Sequence, residues 1–149
     1  MDAGALNLLR EALSHLRSGR SADAEILLTS LLGSHPDDPN ILQLFGVLRR
    51  EQGRIDEAEQ FYRRSLAIHP SQSHVHHNLG NLLRACGKLD ESIESQHAAI
   101  ALKPNHAEAH LALGLALLDK GDRENLDRIA DRAQAETAIR KAIHIRPSY

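Results

Sequence analysis

Five histidines fall close together in the second half of the sequence, His74, His76, His77, His106 and His110, and imidazole is the commonest transition-metal ligand. A metal centre is therefore the first chemistry to weigh. Against it, no cysteine stands among them and no pair has HExxH spacing. His76 and His110 also lie 34 residues apart, at one position of a repeat that packs between helices. These histidines read as surface or partly buried side chains, and no metal is expected. Cys86, one residue before Gly87, would need a base and an oxyanion site to act as a nucleophile, and no such arrangement is evident; it reads as filler at a turn. Glu57, Glu59, Glu91 and Glu94 stand near Arg or Lys, as on solvated helix faces, with nothing to separate their pKa values into an acid and a base. No phosphate-cradling glycine motif is present, so neither a catalytic residue nor a cofactor is expected.

The elements that would position these side chains are written in a period. Gly19, Gly53, Gly87 and Gly121 are spaced 34 apart, and Pro36, Pro70 and Pro104, then Gly46, Gly80 and Gly114, repeat at the same interval. Between these marks the apolar residues follow helical spacing, as Leu79, Leu82 and Leu83 do before Gly87 and Ile93, Ala99 and Ile100 after it. Each period is thus two helices. The first glycine series falls between the helices of a pair, where a tight turn favours positive φ, and the prolines mark where second helices stop. Asp38 before Pro39 reads as an N-cap with proline at the first helical position; Ser73 and Asn105 read as caps of later units, and Asp56 with Glu59 has capping-box character.

Gly46, Gly80 and Gly114, with Ala12 equivalent to them, lie mid-helix, where glycine costs about 1 kcal/mol relative to alanine. Close approach of the paired helix is the compensation expected. Ala24, Ala58, Ser92 and Ala135 would supply the facing surface, and Ser65, Ala99 and Ala142 the contact to the next unit.

Composition agrees with such a chain. The 149 residues suit one domain, and 42% hydrophobic with 26% charged residues excludes a disordered tail and a membrane bundle. With 3% aromatics and no Trp, the interior must be built from Leu, Ile and Ala, which favours helices over strands. Eighteen Lys and Arg against 20 Asp and Glu leave no basic excess for nucleic acid. Ten histidines would carry the formal charge from −2 towards +8 on acidification, so partner affinity is expected to depend on pH. A lone cysteine allows no intrachain disulfide, the N-terminus lacks a secretory signal, and no apolar run approaches the roughly 20 residues of a membrane helix. A cytoplasmic location is the expectation.

Tyr62, the turn sequence Gly53-Arg54-Ile55-Asp56-Glu57-Ala58 and the stretch Asn78-Leu79-Gly80-Asn81 make the sequence resemble the tetratricopeptide repeat (TPR) family over nearly its whole length. The resemblance implies an all-α, right-handed α-solenoid of about four antiparallel helix pairs, a general scaffold for protein contacts. A single domain over 1–149 is expected, with units at 5–38, 39–72, 73–106 and 107–149. The first is degenerate, with Glu11 and His15 at usually apolar places, as suits an N-terminal cap. In the fourth, Gly121 to Pro147 spans 26 residues against 17 from Gly87 to Pro104, a nine-residue insertion. Leu126 to Ile145 holds no Gly or Pro, so a lengthened second helix is expected there.

The resemblance also implies that the first helix of each unit lines a concave groove. Its outward residues are Asn40, Gln43, Leu44, Val47 and Arg50 in the second unit and His74, His77, Asn78, Asn81 and Arg84 in the third. Amides such as Gln43, Asn78 and Asn81 can bind the main chain of an extended peptide, and Arg50 and Arg84 can pair with carboxylates. Leu9, Leu13, Leu111, Leu115 and Leu118 stand near groove positions too, as core if buried and as a docking stripe if exposed. Cochaperone members of the family clamp a C-terminal carboxylate with Lys, Asn and Arg. Here those basic positions hold Leu9, Gln43, His74, Glu108 and Ala112, which disfavours such a clamp. Protein glycosyltransferases of the family carry an asparagine ladder, of which Asn78 is one rung, while Arg10, Leu44 and Ala112 do not match. The functional expectation is a module that binds a peptide or protein domain in the groove. Two alternatives stand beside it: the N-terminal repeat region of a larger glycosyltransferase, sulfotransferase or oxygenase, and a self-associating scaffold. The last follows from the missing helix after Pro147, which would leave an apolar face, with Ile139 and Ile143, to build a homodimer.

Overall fold

A computed structural model describes residues 2–123 and 129–148. The described residues form eight α-helices and no strand: α1 (Ala3–Arg17), α2 (Ser21–Ser34), α3 (Pro39–Glu51), α4 (Ile55–Ile68), α5 (Ser73–Ala85), α6 (Leu89–Leu102), α7 (Ala107–Arg123) and α8 (Ile129–Ile145). They group into two compact units, Met1–Pro70 with α1 to α4 and Ser71–Tyr149 with α5 to α8. Within each unit, consecutive helices pack as pairs.

The turns follow from glycine chemistry. Gly19, Gly53 and Gly87 have φ of 71°, 74° and 74°, a region that costs an ordinary L-residue about 1–2 kcal/mol. At each, two bonds close the helix end. At Gly53 the Arg54 N–H donates to the Arg49 carbonyl (2.8 Å) and the Gly53 N–H to that of Arg50 (3.0 Å), and the pattern recurs around Gly19 and Gly87. Gly121 departs from the expectation. It lies inside α7, which runs on to Arg123. Two residues after the other glycines, Ser21, Ile55 and Leu89 begin the next helix; two residues after the fourth, Arg123 is still the last residue of α7.

The insertion therefore lengthens both helices of the last pair. α7 has 17 residues against 13 in α3 and α5, and α8 has 17 against 14 in α4 and α6. Leu126 to Arg128, where the second helix was expected to begin, lie outside the described residues. The first added residue of α7 is used, as Lys120 pairs with Asp90 of α6, and the residue before it, Asp119, pairs with Arg84 of α5.

Caps hold in part. The Asp38 carboxylate accepts from the N–H groups of Asn40 (2.9 Å) and Ile41 (3.2 Å) with Pro39 following, and Asp2 accepts from Ala5 (2.8 Å). Ser73 is no cap; it is the first residue of α5, and its hydroxyl donates to the Ala99 carbonyl of α6 (2.8 Å). Asn105 does not start α7 either, since the first turn bonds to the His106 carbonyl. Asp56 lies within α4, whose N-cap is Arg54 with no side-chain bond, so the capping box is not formed.

The mid-helix glycines are places of contact, and the contacting side chain differs from the one expected. A Cβ on Gly46 would lie 2.5 Å from Tyr62 Cε1, one on Gly114 2.5 Å from Ile139 Cγ1, and one on Gly80 against the Gln96 amide. Leu28, Tyr62, Gln96 and Ile139 are one repeat position, so these larger side chains, one turn beyond Ala24, Ala58, Ser92 and Ala135, fill the space that glycine leaves. The small residues still matter, as Ser92 donates to the Gly80 carbonyl (2.8 Å) and Ser65 to that of Pro39 (2.8 Å). Burial pushes the Tyr62 phenol up to about 12, so it stays protonated.

His106, at the start of α7, is bonded to Ser73 of α5, whose hydroxyl reaches on to α6. Because the single Ser73 hydroxyl proton goes to Ala99, the bond between Ser73 Oγ and His106 Nδ1 (2.9 Å) requires the imidazole to donate. Burial holds the His106 pKa below its ordinary value, and the neighbouring His77 ring, 5.1 Å away between centroids, adds to this. Desolvation lowers that of the largely exposed His74 as well.

Two predictions follow from these contacts. Gly53→Ala should cost about 1 kcal/mol through φ alone, since a Cβ there meets nothing within 4 Å. Gly121→Ala, at the same repeat position, should instead stabilise by about 0.5–1 kcal/mol as a helix-interior glycine. Urea unfolding of the two variants checks the opposite signs. With a depressed folded pKa, the unfolded chain binds a proton at His106 more readily, so stability is full above about pH 6.5 and is lost as pH falls through the folded value. The fall in Tm between about pH 7 and about pH 5 should be smaller in His106→Gln; an equal fall in both proteins would show that His106 does not carry it.

Candidate protein-binding groove

The sequence expectation placed five groove residues on α5, and the structure brings three of them to one hollow. His77, Asn81 and Arg84 of α5 face Glu108, Leu111, Ala112 and Leu115 of α7 across a hollow of about 310 Å³. Spacing explains the selection: residues 77, 81 and 84 follow one another at one helical turn, as do 108, 111, 112 and 115. His74 and Asn78 do not line this hollow.

The hollow's polar wall is held from behind by Gln96 of α6, which is fully buried and lies over Gly80. Its Oε1 can only accept, so the His77 Nδ1–H donates to it at 3.0 Å, which fixes the neutral ring with a lone pair on Nε2. That lone pair accepts from the Asn81 amide nitrogen (3.0 Å). The Gln96 amide nitrogen donates to the His77 carbonyl (3.2 Å) and to Asn81 Oδ1 (3.3 Å). Asn81 is thereby oriented twice, and one of its N–H bonds and one oxygen lone pair remain for another molecule.

Arg84 is already engaged, its Nε donating to Asp119 of α7 at 2.6 Å. Glu108 accepts from Arg146 at 2.6 Å and approaches His106 Nε2 at 3.7 Å. The α7 wall offers the half-buried Leu111 and Leu115. The site therefore combines an ordered amide, a neutral imidazole and an apolar strip. Among the described residues no group of three or more His, Cys, Asp or Glu side chains comes together as metal ligands, and Cys86 is exposed.

The other expected residues are placed as follows. Gln43, Val47 and Arg50 are half-buried on α3 of the first unit, and Val47 packs on that unit's apolar core. Leu44 is core, 5% exposed, and not a groove residue. Leu9 and Leu13 pack against the same core, whereas Leu118 is exposed. Ile139, expected on a self-association face, is directed inwards onto Gly114, where it takes the place Tyr62 has in the second repeat; Ile143 is 44% exposed. Gln96 and Asp119 were missed by sequence reasoning. For Gln96 a signal existed, a polar residue in register with Leu28 and Tyr62; for Asp119 there was none beyond its charge.

Three family models match the chain: Tetratricopeptide repeat over residues 9–73, Tetratricopeptide repeat over 61–94 and TPR repeat over 80–121. Among solved structures it is similar to MamA, with a TM-score of 0.80 and 20% identity over 95% of this chain and 77% of that one. It is also similar to the Thermobaculum terrenum O-GlcNAc transferase, with a TM-score of 0.78 and 28% identity over 97% of this chain but 27% of the transferase. A third is the first TPR of Spaghetti (RPAP3), bound there to the HSP90 peptide SRMEEVD, with a TM-score of 0.66 and 18% identity over 75% of this chain and 82% of that one. No curated protein sequence matches. No helix among the described residues is long and apolar enough to cross a membrane. With paired helices, turn glycines and overlapping matches from residue 9 to 121, the chain belongs to the tetratricopeptide repeat family, whose repeats commonly serve as protein-interaction modules.

Proposed function

We propose that the chain is a protein-interaction module that holds an extended stretch of a partner polypeptide in the hollow between α5 and α7. The observation that carries this reading is the doubly anchored Asn81. A carboxamide with one N–H and one lone pair to spare matches the carbonyl and N–H of an extended main chain, and its fixed orientation removes an ordering cost from binding. Leu111 and Leu115 would receive an apolar side chain of the same stretch. The RPAP3 repeats holding a peptide support the general mode. A terminal carboxylate is the wrong ligand here, because Glu108 stands at the hollow and Arg84 is engaged with Asp119.

A second reading has its own support in the match to the O-GlcNAc transferase, of which this chain corresponds to 27%. On that reading the repeats present a protein substrate to an attached catalytic domain. An open reading frame continuing past Tyr149 into an enzyme domain would favour it, and a stop codon directly after Tyr149 would remove it.

Peptides selected from a random display library on the whole chain provide the probe for the groove. Asn81→Ala should weaken a selected peptide about tenfold, or about 1.4 kcal/mol, while Asn78→Ala, outside the hollow, should leave affinity unchanged. Calorimetric titration reads both. Equal losses, or a loss confined to Asn78→Ala, would contradict the proposed mode.

A further inference from the structure

The period lets one part of the molecule be compared with another. In the first unit the space between α2, α3 and α4 is filled: the Phe45 and Phe61 rings stack at 5.0 Å and 17°, and the Arg49 guanidinium lies 5.4 Å from the Phe45 ring centre. Arg49 is itself held by Glu25 (2.6 Å) and Glu57 (3.2 Å). Beside this plug, Arg64 donates to Asp37 (2.6 Å) and to the Pro36 carbonyl (2.8 Å).

Two periods on, allowing for the insertion, each part of that assembly has changed. Phe45 becomes Leu113, Arg49 becomes Leu117, and Glu25 and Glu57 become Ile93 and Gln134. Phe61 becomes Ala138, so the ring that closed the space has shrunk to a methyl group. The structure leaves a pocket of about 610 Å³ there, between α6, α7 and α8, with Ile100, Leu113, Leu117 and Ala138 in its lining and His97 and Lys141 at its edge. Such a volume is in the range of ligand sites. Lys141 is the equivalent of Arg64, but the equivalent of Asp37 is the neutral Asn105. Its ammonium makes no ion pair among the described residues.

We infer that this pocket is a second binding site, which takes an aromatic side chain carried on an acidic stretch of a partner protein. The chain has lost a ring and a carboxylate from the same small region, and a partner bearing both restores what Phe61 and Asp37 provide in the first unit. Phe61 shows that a ring fits between helices of this geometry, and Lys141 supplies the charge that selects an acidic neighbour. The site is independent of the proposed groove. Leu113 and Leu117 are each two residues, and so roughly 200° of helix rotation, away from Leu111 and Leu115, which places the two sites on opposite sides of α7.

The test uses the full chain with methyl labelling and a capped peptide, Asp-Asp-Phe-Asp-Asp, beside versions with Ala for Phe or Lys for Asp. The Phe peptide should move the methyl resonances of Ile100, Leu113, Leu117 and Ala138, and both altered peptides should bind about tenfold more weakly. Ala138→Phe, which supplies the ring internally, and Asn105→Asp, which supplies the carboxylate, should each weaken the Phe peptide by a similar factor. Asn105 is exposed, so the second variant keeps the test decisive if the first does not fold. The inference is overturned if these methyls do not move at millimolar peptide, if those of Leu111 and Leu115 move instead, or if Asn105→Asp binds as the wild type does. Movement at Leu111 and Leu115 would leave the groove proposal standing, which keeps the two readings separable.

Discussion

The structure depends on one packing constraint, the contact between a glycine in the first helix of a pair and a large side chain from the second. Gly46, Gly80 and Gly114 each give up about 1 kcal/mol of helix propensity, and what they gain is a backbone that a neighbour can touch. Tyr62 lays a ring on it, Gln96 an amide and Ile139 an aliphatic chain. The chemistry behind the outer face of the pair changes from repeat to repeat. In the third repeat the change reaches the candidate groove. An amide in a site that elsewhere takes Leu, Tyr or Ile has to satisfy its hydrogen bonds, and it does so through His77 and Asn81. The groove is thus ordered by a core substitution and not by its own surface residues.

The same economy explains the pocket beside α8. In the first unit, aromatic stacking, a cation over a ring and two carboxylates close the space between consecutive pairs. In the second unit the equivalent positions are all smaller or neutral, and the lengthened α7 reaches α5 and α6 through Asp119 and Lys120 instead.

Much of this was legible in the sequence because it is periodic. Three series at 34 residues gave the paired helices, their turns and the mid-helix contacts before any coordinates. What escaped were the places where a residue departs from its register. Gly121 kept the period and lost the turn, since α7 runs through it to Arg123. Ser73 has the chemistry of a cap, yet its hydroxyl is used between helices. Ile139 belongs to an inner position once the nine added residues are subtracted, which a reading of α8 as a surface helix overlooks. Of the candidate site, Asn81, His77 and Arg84 were expected from the resemblance to the family, but Asn78 could not be separated from Asn81 without knowing which side the Gln96 amide supports.

The central claim, that buried Gln96 orders the groove, is tested most directly by nitrogen-15 NMR of the His77 ring and the Asn81 side-chain amide in the wild type and in Gln96→Leu. Wild-type His77 should carry its proton on Nδ1, and the Asn81 amide protons should exchange slowly. In Gln96→Leu, with the helices retained, the His77 tautomers should average and the Asn81 protection should be lost. An Nε2-protonated His77 in the wild type, or identical Asn81 protection in both proteins, would contradict it.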